Sequence, residues 1–163
     1  MRSMILVRLT FAFMFTLASL GTAWAQSSSP TKLEGVINDF TDIGNAAGAW
    51  HITGDWSAHR QGNSGKVDFV ASLTMVRVSG GSPHTHHVGL FGADVSVTPT
   101  GYLITGQPAL TTNGNVAFGG SQVSIEVSGG SAVPSSNVKI TFTGPAAGHF
   151  GELPLDGVVT INR

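Results

Sequence analysis

The chain reads as an all-β protein, a single antiparallel β-barrel of about eight to ten short strands, with a β-sandwich as the alternative. Three observations predict this class. Segments of alternating apolar and polar residues recur along the chain, turn residues separate them at short intervals, and the two ends carry matching strand sequences.

Residues 1–25 read as a secretory signal peptide: Arg2 and Arg8 supply the positive start, residues 9–20 are mostly apolar, and Ala23-Trp24-Ala25 offers small residues for cleavage. The apolar stretch is short for a membrane span. Residues 26–32 then form a flexible N-terminal segment, and residues 33–163 a single barrel-like domain. The expected location is secreted or periplasmic, with no membrane contact in the mature form. The chain has no cysteine, so a lipid anchor on an N-terminal cysteine is not expected, and the fold must hold without disulfides.

The first strand is Leu33-Glu34-Gly35-Val36-Ile37. It is echoed near the other end by Leu155-Asp156-Gly157-Val158-Val159. Pairing of these two segments would close the sheet and remove its edges, which favours the barrel. Residues 38–49, with Asp42, Asn45 and several alanines, could hold a short helical turn, although their glycines weaken it. Trp50, Ile52 and Trp56 then share one face of a strand, opposite His51, Thr53, Asp55 and Ser57.

The stretch from Gln61 through Gly65 links this strand to the most regular one, in which Val67, Phe69, Ala71, Leu73 and Met75 alternate with polar neighbours. One buried face per strand favours antiparallel pairing. A Ser-Gly-Gly-Ser turn follows Val78 and recurs after Val127, a possible strand-turn duplication. Thr98-Pro99-Thr100-Gly101 should reverse the chain, and Asn113-Gly114 should form a tight hairpin because both residues tolerate positive φ. Val123, Ile125 and Val127, then Val138, Ile140 and Phe142, complete the alternating pattern. No segment reads as a convincing helix.

Without Arg2 and Arg8 the chain keeps six basic residues against nine acidic ones, a net charge of −3, with no basic cluster. Nucleic acid is therefore not an expected partner. The expected partners are a small molecule or a metal ion.

The chemistry concentrates at His84-Thr85-His86-His87, which holds half of the six histidines. In a strand His84 and His86 point the same way and His87 the other. Imidazole suits zinc and copper, and histidines at i and i+2 supply two ligands. His149, between Gly148 and Gly151, is the first candidate for a third ligand, and His51 the next. His59, Asp94 and Glu126 are further candidates. The expected cofactor is one divalent transition metal, zinc or copper. An open coordination position would let it activate water or a substrate.

Family patterns that share His-x-His do not fit. The cupin glutamate is missing from residues 88–94, the disulfide cysteines of Cu/Zn superoxide dismutases are absent, and alpha carbonic anhydrases are far longer. In architecture alone the pattern resembles small secreted barrels such as lipocalins and allene oxide cyclase-like proteins, which implies no function. A second reading is a metal-free barrel that binds or rearranges a small apolar molecule. Its pocket would be lined by aromatics such as Trp50, Trp56, Phe69, Phe91 and Phe142, although ordinary core accounts for the same residues. A third reading is a structural surface module that interacts with other proteins.

Overall fold

The computed structural model describes residues 31–42, 48–62, 64–129 and 136–163. The signal peptide, most of the N-terminal segment, and the turn of the second Ser-Gly-Gly repeat lie outside the described residues. The described residues form ten strands: β1 (Lys32–Asp42), β2 (Ala49–Arg60), β3 (Lys66–Arg77), β4 (His84–Thr98), β5 (Gly101–Gly106), β6 (Ala109–Thr112), β7 (Asn115–Val116), β8 (Gln122–Ser128), β9 (Asn137–Thr143) and β10 (Leu155–Asn162). A 3-10 turn (Gly144–Ala146) runs into α1 (Ala147–Phe150) between β9 and β10.

Eight strands close a barrel in the order β3-β2-β1-β10-β9-β8-β5-β4, with β4 returning to β3. Every pairing is antiparallel. The matched ends of the sequence pair, Val36 opposite Val158 and Ile37 opposite Gly157, and so remove the free edges. The remaining two strands form the Asn113-Gly114 hairpin, with φ of 49° and 81° at the turn, and add to the first half of β4. They fit there because β5 reaches only the second half, from Asp94 to Thr98.

Alternation along β3 is as the sequence predicts. Val67, Phe69, Ala71, Leu73 and Met75 are all buried and point into the barrel. Val123, Ile125 and Val127 on β8, and Val138, Ile140 and Phe142 on β9, fill the opposite wall. Of the stretch read as a helical turn, residues 38–42 instead continue β1 because they pair in unbroken register with residues 49–53 of β2, and residues 43–47 lie outside the described residues. Lys32, read from sequence as part of a flexible segment, already opens β1.

The short helical turn is the element the sequence reading lacks. Pro145 stands in its first turn, where a missing N–H costs nothing, and Gly151 ends it at φ 94°. This turn folds over one end of the barrel as a plug. Phe150 is fully buried and stacks on Phe142 at 4.3 Å between ring centroids. Thr41 Oγ1 donates to the Phe150 carbonyl at 2.8 Å, and the Ala146 N–H donates to Ser121 Oγ at 2.9 Å. These buried bonds tie the plug to β1 and to the loop before β8.

Candidate metal centre

β4 and the plug bring three histidines together. His84 and His86 lie on the inward face of β4, opposite Met75 and Leu73 of β3. His149 hangs from α1 above them. One ring nitrogen from each of the three lies within 4.8 Å of the other two, and this trio could hold a metal ion. His149 Nε2 is 3.1 Å from His84 Nε2 and 3.0 Å from His86 Nε2. Three nitrogens bound tetrahedrally at 2.0–2.1 Å would be spaced about 3.3 Å apart.

The other ring nitrogens fix the tautomers. His84 Nδ1 donates to the Ser82 carbonyl at 2.9 Å, and His86 Nδ1 donates to the Thr111 carbonyl at 3.2 Å. Thr112 Oγ1 lies 3.1 Å from the same His86 nitrogen. A carbonyl oxygen only accepts, so both Nδ1 atoms carry their protons and both Nε2 atoms present lone pairs. His149 Nε2 has at most one proton to give, yet faces both. At least one of the two close approaches is therefore left without a hydrogen-bonding proton when all three rings are neutral.

Protonating a ring does not resolve this easily. Burial first, then the neighbouring His149 and His84, pull the pKa of His86 down to about 4. Burial and His84 also lower that of His149. The site is apolar around its edge: Phe118 stacks on His149 at 5.0 Å, Phe150 meets His86 edge-on at 4.8 Å, and Trp50 meets His84 edge-on at 5.1 Å. A bound cation would meet all three lone pairs without the cost of an imidazolium.

The structure separates the other residues singled out from the sequence. His51 is on the outer face of β2, where its Nε2 is 2.7 Å from Asn38 Oδ1 and its ring stacks on Phe40 at 4.4 Å. The cause is the strand period itself: Trp50 and Ile52 point inward, so His51 points outward. His87 is also outward, with Nδ1 3.0 Å from Ser72 Oγ. Asp94 pairs with Lys66, and His59 and Glu126 are exposed on the outer surface.

Of the aromatics, Trp56 is buried core that stacks on Phe69 and donates its indole N–H to the Val158 carbonyl at 3.3 Å. Phe69 and Phe142 are likewise core. Trp50 is buried beside His84. Phe91 is 72 % exposed and covers Gly89 from outside. These aromatics therefore do not line one common pocket.

The carbonyls of Ser82 and Thr111, the Thr112 hydroxyl, and the rings of Phe118 and Phe150 complete the site and were not read from the sequence. Backbone carbonyls leave no sequence signal. The turn that carries His149 was not read either, although Gly144-Pro145 at its start and Gly151 at its stop are a signal that could have found it. In comparisons with family models, with curated proteins and with solved structures, nothing matches the chain.

Proposed function

We propose that the barrel binds one divalent transition-metal ion, zinc or copper, through Nε2 of His84, His86 and His149. The observation that carries this reading is the convergence of three nitrogens with too few protons to satisfy one another, two of them locked as acceptors by backbone carbonyls. Hydrogen bonds of this kind orient metal-binding imidazoles and raise their basicity. An all-nitrogen set without thiolate suits zinc or copper(II).

Three protein ligands leave a fourth position for water or a substrate. With neutral imidazoles only, His84, His86 and His149 would leave the ion its full charge, which would acidify water and attract anions there. A metal held there would supply Lewis-acid chemistry, and hydrolysis is the activity such an arrangement would support. The matching cellular reading is export, with cleavage before Gln26. N-terminal sequencing of the periplasmic or secreted fraction checks it, and a chain that retains Met1 in the cytoplasm contradicts it.

Elemental analysis of the untagged protein tests the metal. About one equivalent of zinc or copper per chain is expected, and the H84A/H86A variant should lose it while keeping its β circular dichroism. A chain that carries no metal and refuses added zinc and copper, or a double variant that keeps its metal, overturns the proposal.

A further inference from the structure

The opposite end of the barrel holds a second cavity. The starts of β1, β3 and β5 and the ends of β2 and β4 meet there, away from the plug. The cavity measures about 150 Å³, and Ala58, Val67, Val95 and Ile104 are among its apolar walls. Two polar side chains also line it, Arg60 and Tyr102.

Arg60 is the unexpected member. It follows Ala58 on the inward face of β2, where apolar residues are the rule. A guanidinium there presents a planar fork of N–H donors suited to an anion that enters the chamber. Side-chain carboxylates near this rim are engaged elsewhere: Glu34 pairs with Lys32 at 2.6 Å, Asp94 with Lys66 at 2.5 Å, and Asp68 Oδ1 accepts from Gln61 Nε2 and from the Gly92 N–H. Arg60 takes part in none of the ion pairs found among the described residues.

An apolar chamber with one phenol and one arginine that joins no ion pair among the described residues suits a ligand with an apolar body and a single anionic end. The volume sets its size, because a cavity of about 150 Å³ lined by aliphatic side chains holds a benzene ring. We infer that this end of the barrel binds a small apolar carboxylate of about benzoate's size, its carboxylate on Arg60 and its ring or alkyl body against Val67, Val95 and Ile104. A guanidinium and a carboxylate match as a two-pronged hydrogen-bonded pair, while the apolar walls remove the body from water. The site does not depend on the metal centre, and either can exist without the other.

The test is calorimetric titration of the intact chain with benzoate, in its metal-free and zinc-treated forms, with benzyl alcohol as the uncharged comparison. Benzoate should saturate one site with a Kd of about 0.1–1 mM, in both forms alike. R60Q should weaken benzoate about tenfold or more while changing benzyl alcohol binding little. Amide shift mapping of the wild-type chain should move Ala58, Val67, Val95 and Ile104. V95W, at the half-buried rim, fills the chamber and should abolish binding while its spectrum stays folded. Absence of saturable binding, equal benzoate affinity in R60Q, or shifts centred on His86 and His149 would each overturn the inference.

Discussion

At one end of the barrel the turn from Gly144 to Phe150 folds across the strand ends, buries Phe150 and lowers His149 onto β4. At the other end an apolar mouth contains Arg60 and is rimmed by Val97, which is 77 % exposed. The strands deliver inward side chains to both ends by the same two-residue period. What differs is the cover. The plug takes His86 out of water completely, at 0 % exposure, and so depresses its proton affinity and leaves a lone pair that could hold a metal ion. Without such a cover an ionised side chain is tolerated, because water or a ligand can reach it. The pair of ends teaches that in a small barrel the closing segment, more than the strands, decides what chemistry an inward residue can perform.

The largest expected effect comes from removing the plug's anchor. F150A should cost about 3–5 kcal/mol of unfolding free energy by denaturant titration, because a fully buried ring is deleted. V97A at the open rim should stay within about 0.5 kcal/mol. Equal effects at the two ends would erase the distinction between them.

The pH dependence of the metal-free protein follows from the buried imidazoles. His86 has a folded-state pKa of about 4 against an ordinary 6.5, so between these values the unfolded chain takes up a proton that the folded barrel refuses. Stability is then full above pH 6.5 and falls as the pH drops toward 4, by about 3 kcal/mol. The lowered His149 acts in the same direction. Thermal unfolding at a series of pH values checks this, and the slope should shrink in H86L to the part that His149 supplies. A flat profile in the wild-type chain contradicts the buried-neutral account.

Zinc should sharpen the contrast. A ligand present at 100 times its Kd stabilises the folded state by about 2.7 kcal/mol, so saturating zinc should raise Tm and a chelator should reverse the rise. No shift on zinc addition would leave the plugged end a purely structural device. T112V, which removes the hydroxyl beside His86 Nδ1, should weaken zinc binding about tenfold with little change in fold. Unchanged affinity would show that the Thr111 carbonyl alone orients the ring. The smallest effect is expected at the outer rim: K66A breaks the exposed pair with Asp94 and should change stability by less than about 0.5 kcal/mol.

Much of this arrangement was legible in the residues. The alternation from Val67 to Met75, the Asn113-Gly114 turn and the echo of the two ends predicted a closed antiparallel barrel, because strand period, turn chemistry and edge pairing are all local or near-local properties. The shared face of His84 and His86 followed from the same period. His149 stood out through its flanking glycines, but the turn that delivers it is only a few residues long, too short for a periodic signal. His51 attracted attention by residue type, although the inward reading of Trp50 and Ile52 already placed it outside. The carbonyls of Ser82 and Thr111 that fix the tautomers depend on backbone position, and the chamber around Arg60 depends on which end the plug covers. Neither can be read from a one-dimensional pattern.

X-ray absorption at the zinc edge of the loaded, untagged protein tests the central claim most directly, since it counts imidazoles at the ion. The account predicts three imidazole nitrogens and one further light-atom donor at about 2.0–2.1 Å, with the imidazole signature lost in H84A/H86A. Fewer than three imidazoles, or an unchanged spectrum in the double variant, would contradict it.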